Sequence, residues 1–249
     1  KAAHNAFASM IIGSSKQKGD FLLEPGDKVL YTLAPRPYTS GEIMVFGMLH
    51  HFPFKFLPDP EEAEQMDFFE RIEKGFSLSL DEGLDVFYGL ASILLTVGKK
   101  FSEGAGSGNR KISALLKRPK ALKRLLKGYL RSRRNKRELL PADIWDPKIL
   151  GMAGMDCDIF RDKVKYYWGK NPLEGYGLTE GGIAAIQTWA RDGMVFFPDM
   201  NFMEFIPYAE HIKLKEDPAY KPKTLLLDQV EAGEVYELVI SNFYGSPLV

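Results

Sequence analysis

The sequence predicts an α/β fold with mixed sheets flanked by helices. Three observations carry this expectation. Short apolar runs alternate with helical patterns over the first hundred or so residues, the same alternation resumes after residue 140, and the stretch from Met194 holds a series of short strands.

In order, the stretch from His4 to Ser14 has a helical pattern. The turn Glu24-Pro25-Gly26-Asp27 then feeds a strand, Lys28 to Leu33, which Pro35 and Pro37 stop. Gly41 to Leu49 is apolar enough for a buried helix. Glu61 to Lys74 reads as one helix with Ala63, Met66, Phe69 and Ile72 as its apolar stripe. Leu84 to Gly89 is a second short strand, and Ala91 to Val97 the helix after it.

Glu103 to Asn109 is glycine-rich and reads as a linker. A phosphate loop is disfavoured there, because no Gly-Lys-Ser/Thr follows and no strand directly precedes it. Ile112 to Leu130 places leucines at helical spacings, interrupted at Pro119, with Lys and Arg opposite. From Leu140 the α/β pattern returns. Lys148-Ile149-Leu150 leads into a small-residue turn, Gly151 to Met155, and Asp156 to Trp168 is helical. Met194 to Pro198, Phe202 to Pro207 and Val235 to Ile240 read as strands of a partly antiparallel region. The expected division is a first α/β lobe over 1–103, a glycine-rich loop with basic helices over 104–139, and a second α/β lobe over 140–249.

Composition excludes several classes. With 249 residues, 45% apolar and 27% charged, the chain is neither disordered, collagen-like nor a small disulfide scaffold. One cysteine, Cys157, leaves no intrachain disulfide and fits a reducing, cytoplasmic setting. No apolar run reaches the ~18 residues of a spanning helix. Net charge is zero, yet Gly104 to Arg137 holds 13 Lys/Arg and no acid, leaving 20 basic and 33 acidic residues elsewhere. Such a segment suits a solvated face, with its leucines packed inward, or, through residues 110–137, a module that docks an anionic surface, membrane or nucleic acid. Its single aromatic, Tyr129, argues against base stacking, so no nucleic-acid partner is expected.

The stretch Glu174-Gly175-Tyr176-Gly177-Leu178-Thr179-Glu180-Gly181-Gly182 carries the most chemistry. Glycines let a backbone approach a phosphate, a Thr hydroxyl can bond one, and a Glu can hold Mg²⁺ between phosphates. A Tyr ring can stack on a base. The plainer alternative is a loop between a strand and a helix, with Thr179 as N-cap. Other candidates are weaker. His50 and His51 are adjacent and diverge, and His4 and His211 lack metal-ligand spacing. Cys157 has no nearby histidine in sequence, and Trp145, Trp168 and Trp189 suit a core or lobe interface.

Tyr176-Gly177-Leu178-Thr179-Glu180 resembles the Tyr-Gly-x-Thr/Ser-Glu motif of the acyl-adenylate-forming superfamily, which includes acyl-CoA synthetases and auxin-type acyl-acid amido synthetases. Leu23 to Leu30 with Ala34-Pro35-Arg36-Pro37-Tyr38-Thr39-Ser40-Gly41 is similar to that family's Pro-Gly-Asp, strand, Pro-x-x-His-x-x-Gly run, with Tyr38 in the place of the His. Val86 to Ser92 is similar to the strand and turn lining the acyl pocket. Asn201 to Pro207 and Gly233 to Asn242 are most similar to the amido-synthetase branch.

The resemblance implies an ATP-dependent ligase. A carboxylic acid is activated as acyl-adenylate and then passed to CoA or to an amino acid. It implies ATP and Mg²⁺, with Glu180 as metal ligand, Thr179 as a phosphate or metal contact, and Thr179 and Glu180 as the catalytic pair. Tyr176 and Gly177 would meet the nucleotide, and Gly151, Ala153, Gly154 and Met155 would wall the adenine. Tyr38, Ser40, Gly41, Gly89 and Ala91 would border the acid. The family's phosphate loop is expected before Lys1, and its ribose-gripping Asp and catalytic-Lys domain after Val249. The chain is thus expected to be the central part of a larger enzyme, a fragment of its large domain with a basic helical insertion, and inactive alone.

Overall fold

The computed structural model describes residues 2–38, 40–103, 117–154, 157–178 and 180–242. Contacts divide the chain into two compact units, residues 1–176 with 186–195, and residues 177–185 with 196–249. The larger sheet has the strand order β2-β1-β3-β4-β5-β6-β7, and a second sheet pairs β8 with β9.

The first unit opens with α1 (Ala2–Ser14). Strand β1 (Lys28–Leu30) is central to a parallel block, pairing on one side with β2 (Lys55–Leu57) and on the other with β3 (Val86–Leu90). β3 pairs with β4 (Ile149–Ala153), from Val86↔Ile149 to Leu90↔Ala153, and β4 pairs with β5 (Leu173–Leu178) through Gly151↔Leu173 and Met152↔Glu174. All these pairings are parallel, so the connections must cross over. The crossovers are α4 (Ala91–Ser102) and α5 (Pro119–Arg134) with α6 (Pro141–Ile144) between β3 and β4, and α7 (Cys157–Trp168) between β4 and β5. Lys148 ties the start of this block, its Nζ lying 2.9 and 3.0 Å from the Asp27 carboxylate and 2.9 Å from Glu24.

The core lies under α4 and α7. Phe87 and Trp168 pack at 5.0 Å between ring centroids, and Trp145 stacks on Trp168 at 6.2 Å. Both buried indoles donate to backbone carbonyls, Trp145 to Ser79 and Trp168 to Leu94, each at 3.1 Å, so neither N–H is left unpaired. Trp189, in contrast, is exposed.

Several expectations are corrected. The helix expected over 61–74 is two helices, α2 (Pro60–Ala63) and α3 (Phe68–Glu82). Asp59 caps the first by accepting from Glu61 N, and Asp67 caps the second by accepting from Glu70 N at 2.9 Å. The break turns the expected stripe, so Phe69 is 81% exposed. The strand over 28–33 ends at Leu30, where Thr32 leaves the ladder and its Oγ1 donates to Tyr88 O at 2.6 Å. The buried helix over 41–49 is π-helical over Ser40–Gly47. Gly151 to Ala153 belong to β4 rather than to a turn. The lobes expected at 1–103 and 140–249 are not separate contact units, because β3 and β4 are neighbours in one sheet.

The basic helix also differs. α5 buries Ala121, Gly128 and Ser132, while Leu126 and Leu130 are exposed. Two of the cations, Arg118 just before the helix and Arg124 within it, are half-buried and paired rather than freely solvated. Arg118 Nε donates to Asp81 at 2.7 Å and its Nη1 to Ser77 Oγ at 3.1 Å, and Arg124 Nη1 donates to the carbonyls of Ser79 and Leu80. These carbonyls lie in the last turn of α3, where the helix dipole is negative, and Ser79 O also accepts from Gly83 N at 3.0 Å and from Trp145 Nε1. The expectation of a solvated cationic face is therefore corrected at Arg118 and Arg124. Residues 112–116 lie outside the described residues.

Late in the first unit, Arg191 reaches back to α1 and donates from Nη2 to Gly13 O at 3.2 Å. The second unit is built on β8 (Asn201–Pro207) and β9 (Tyr236–Asn242), antiparallel from Asn201↔Asn242 to Pro207↔Tyr236, with α8 (Tyr208–Glu216) following β8. Two further strands are β6 (Gly182–Ile186) and β7 (Val195–Phe196), and a 3-10 turn spans Leu227–Gln229.

Candidate active site

Parallel strands present their C-terminal ends on one edge, which is where α/β sheets bind ligands. Here the ends of β1, β3, β4 and β5 lie side by side. After β1 comes the Tyr31-to-Gly41 segment. Tyr38 is exposed at 64%, Ser40 is half-buried and donates from Oγ to Ala34 O at 3.2 Å, and Gly41 is buried. A Cβ on Gly41 would lie 2.5 Å from the Pro35 carbonyl carbon, so only glycine lets the segment close on itself. Gly89 is the penultimate residue of β3, and the buried Ala91 follows the strand. A Cβ on Gly89 would meet Thr32 Oγ1 at 3.0 Å.

In β4, Gly151 is buried beneath the Tyr88 ring, and a Cβ there would fall 1.9 Å from a ring carbon. Burial pushes the Tyr88 hydroxyl up to about 12, keeping it neutral. Ala153 is half-buried opposite Leu90, and Gly154 is exposed with φ +116°, a conformation that favours glycine. Tyr176 is exposed on β5, two residues beyond Glu174, the partner of Met152. The structure thus brings the acyl-side and adenine-side candidates of the first unit to one sheet edge. Met155 and Thr179 lie outside the described residues.

Gly177 and Glu180 belong to the second unit. Glu180 is exposed in the turn leading into β6, where Gly181 N donates to Leu178 O at 3.3 Å and Gly182 has φ +66°. The element after the motif is a strand, which corrects the alternative of a loop entering a helix. Gly181 is buried, and Asn201 Nδ2 donates to its carbonyl at 2.9 Å, fixing one side of the turn.

Sequence reasoning missed three arginines that shape this edge. Arg36 grips Glu64 with Nε and Nη2, both at 2.6 Å, and stacks 3.7 Å over Phe46; this pair holds the Glu64 carboxyl below its ordinary range. Arg71 is buried, donates from Nη2 to Leu33 O at 3.0 Å and lies 5.0 Å from the Tyr31 ring; burial pushes the guanidinium down. Arg161 grips Glu174. The only sequence signal was an Arg between two prolines at Arg36. The other two partners are 38 and 13 residues away, beyond any local pattern.

Among the described residues no group of three His, Cys, Asp or Glu converges on a metal. Mg²⁺ arriving with phosphates needs one or two protein carboxylates, and Glu180 is an exposed acidic residue of the kind that limited role asks for. Elsewhere, His4 and His51 meet edge to face at 4.5 Å, and His211 Nδ1 pairs with Glu237. Cys157 Sγ donates to Gly154 O at 3.2 Å. A groove of about 590 Å³ between α4 and α7, bordered by Lys99, Asp162 and Tyr166, lies at the helix ends away from the strand C-termini.

Comparison with known proteins gives three findings. Residues 194–246 match the GH3 family central domain. The jasmonoyl--L-amino acid synthetase JAR4 of Nicotiana attenuata is 30% identical over 103 residues, covering 39% of this chain and 17% of that protein. A 2-hydroxyisobutyryl-CoA ligase, solved in an open conformation with 2-HIB-AMP and CoA, has a similar fold, with a TM-score of 0.50 at 16% identity over 84% of this chain and 39% of that one. The chain spans well under half the length of either protein. Sequence motifs, family match, curated relative and fold all fit one family, the acyl-adenylate-forming superfamily.

Proposed function

We propose that the protein carrying this chain is an ATP-dependent ligase that activates a carboxylic acid and transfers it to an amine or a thiol. The observation that carries this reading is the common sheet edge, where Gly89, Ala153 and Tyr176 lie in the C-terminal halves of adjacent parallel strands and Tyr38, Ser40, Gly41, Ala91 and Gly154 follow their ends. In the first step a carboxylate oxygen attacks the α-phosphorus of ATP, and the bond to pyrophosphate breaks. In the second, an amine or thiol attacks the acyl carbon and AMP leaves.

The residues divide the work by position. Tyr176 offers an exposed ring to the adenine, and the Ala153–Gly154 bend leaves the backbone open beside it. Gly151 contributes through the strand, since its open side is filled by Tyr88. Thr179 and Gly177 lead to Glu180, whose carboxylate would hold Mg²⁺; the ion supplies charge neutralisation for two anions that otherwise repel. The Tyr38–Gly41 segment, held by Arg36–Glu64 and Arg71, would border the acid.

The match to the GH3 central domain and to an amino acid synthetase supports an amine acceptor for the second step. ATP–pyrophosphate exchange in the intact protein, screened over a panel of carboxylic acids, tests the first step. Release of AMP stimulated by amino acids, rather than by CoA, tests the second. Absence of acid-dependent exchange across the panel would remove the proposal.

A further inference from the structure

The basic helix α5 has three faces. Ala121, Gly128 and Ser132 are buried, and a Cβ on Gly128 would fall 2.5 Å from Ile144 Cδ1 and 3.1 Å from Asp143 O. That close approach fixes which way the helix is turned. It leaves Leu126, Tyr129 and Leu130 exposed at 54%, 48% and 67%, within little more than one turn. Half-buried Leu122 continues the stripe one turn back. The third face is cationic. The 16 residues of α5 carry seven Lys/Arg and no acid.

Arg124 and Arg131 are engaged with backbone carbonyls, and Arg133 with the Tyr129 hydroxyl at 2.8 Å. Lys120, Lys123, Lys127 and Arg134 have no acidic partner among the described residues. Helical spacing sets Lys123, Lys127 and Arg134 along the border of the apolar stripe.

From this arrangement we propose that the outer face of α5 docks in the plane of an anionic lipid surface. An apolar ridge bordered by unpaired cations matches a headgroup layer over acyl chains: the ridge enters the apolar boundary and the cations stay with the phosphates and carboxylates. A nucleic-acid backbone would pair the cations but leave the leucines in water. The helix does not span, since 16 residues rise about 24 Å and seven of them are charged.

The test is flotation of the intact chain with phosphatidylcholine vesicles, with and without phosphatidylserine. The expected result is flotation only with phosphatidylserine at about 0.1 M salt and release at several-fold higher salt. Leu126→Ser with Leu130→Ser, and separately Lys123→Gln with Lys127→Gln, should each lower the bound fraction at least about fivefold with unchanged circular dichroism. Those positions are exposed, so the variants should fold. No flotation of the wild type, whether because another part of the chain covers the ridge or for any other cause, overturns the proposal. So does flotation that ignores the leucine pair, or binding to a duplex oligonucleotide in place of vesicles.

Discussion

Arg161 grips Glu174 by two hydrogen bonds, Nε to Oε1 at 2.7 Å and Nη2 to Oε2 at 2.8 Å, so that α7 holds β5 immediately before Tyr176. The Glu174 side chain is 5% exposed and Arg161 41%. Arg161→Ala would leave a buried carboxylate without its cation. We expect a loss of about 1–3 kcal/mol in urea unfolding, the lower part of the range for broken buried pairs because water reaches the arginine. Arg161→Lys should fall between, since a point charge cannot form both bonds. An alanine variant as stable as wild type would show that the pair does not support β5.

Glu180→Gln keeps size and exposure and removes charge. Acid-dependent pyrophosphate exchange in the intact protein should fall by about two powers of ten, with the unfolding midpoint unchanged. Undiminished exchange would take Glu180 out of the metal role.

Gly151→Ala separates packing from nucleotide contact. The new methyl would collide with the half-buried Tyr88 ring, 1.9 Å from a ring carbon, so the ring has to leave its position. A destabilisation of about 1–3 kcal/mol is expected. The double variant Gly151→Ala with Tyr88→Leu should recover part of it, which a loss arising only at the nucleotide would not do.

Arg124→Ala should lower stability by about 1–2 kcal/mol by removing the guanidinium from the Leu80 carbonyl and one of three donors from Ser79 O, whereas Lys123→Gln should change it by less than about 0.5 kcal/mol. Equal effects at the two positions would contradict the capping role.

Glu210 gives a pH prediction. Lys213, the Lys223 amide and the Tyr220 hydroxyl donate to its carboxylate and depress it from 4.5 to about 2. A depressed folded value contributes stability above the unfolded value and loses it as pH falls through the folded one. Protection of the Lys223 amide against exchange should therefore decline between about pH 4.5 and pH 2. Unchanged protection in a Glu210→Gln variant would exclude this carboxylate as its cause.

How much of this was legible depends on range. Strands β3, β8 and β9 and helices α4 and α7 follow from local apolar runs and spacings, which a short window contains whatever the partner. The candidate edge was legible only as separate motifs. That Gly89, Gly154 and Tyr176 share an edge depends on parallel pairing over long separations, which no window contains. The orientation of α5 was misjudged for a similar reason. Leucines outweigh alanine and glycine in any periodic count, yet close helix approach at Gly128 demands small residues. Arg71 and Arg161 act through partners distant in sequence, so composition shows only two charges.

The reach of Arg191 to Gly13 has a consequence for biosynthesis. The first unit is drawn from two stretches, 1–176 and 186–195, and its opening helix is clasped by a residue near the end of the second. A nascent chain stalled at residue 180 would hold every strand of the parallel block but not this clasp. Protease accessibility of α1 on stalled ribosomes should therefore drop only once Arg191 has left the exit tunnel. For the same reason a truncation ending at residue 176 severs the unit rather than isolating it, and a separable first unit has to keep 186–195 on a short engineered bridge.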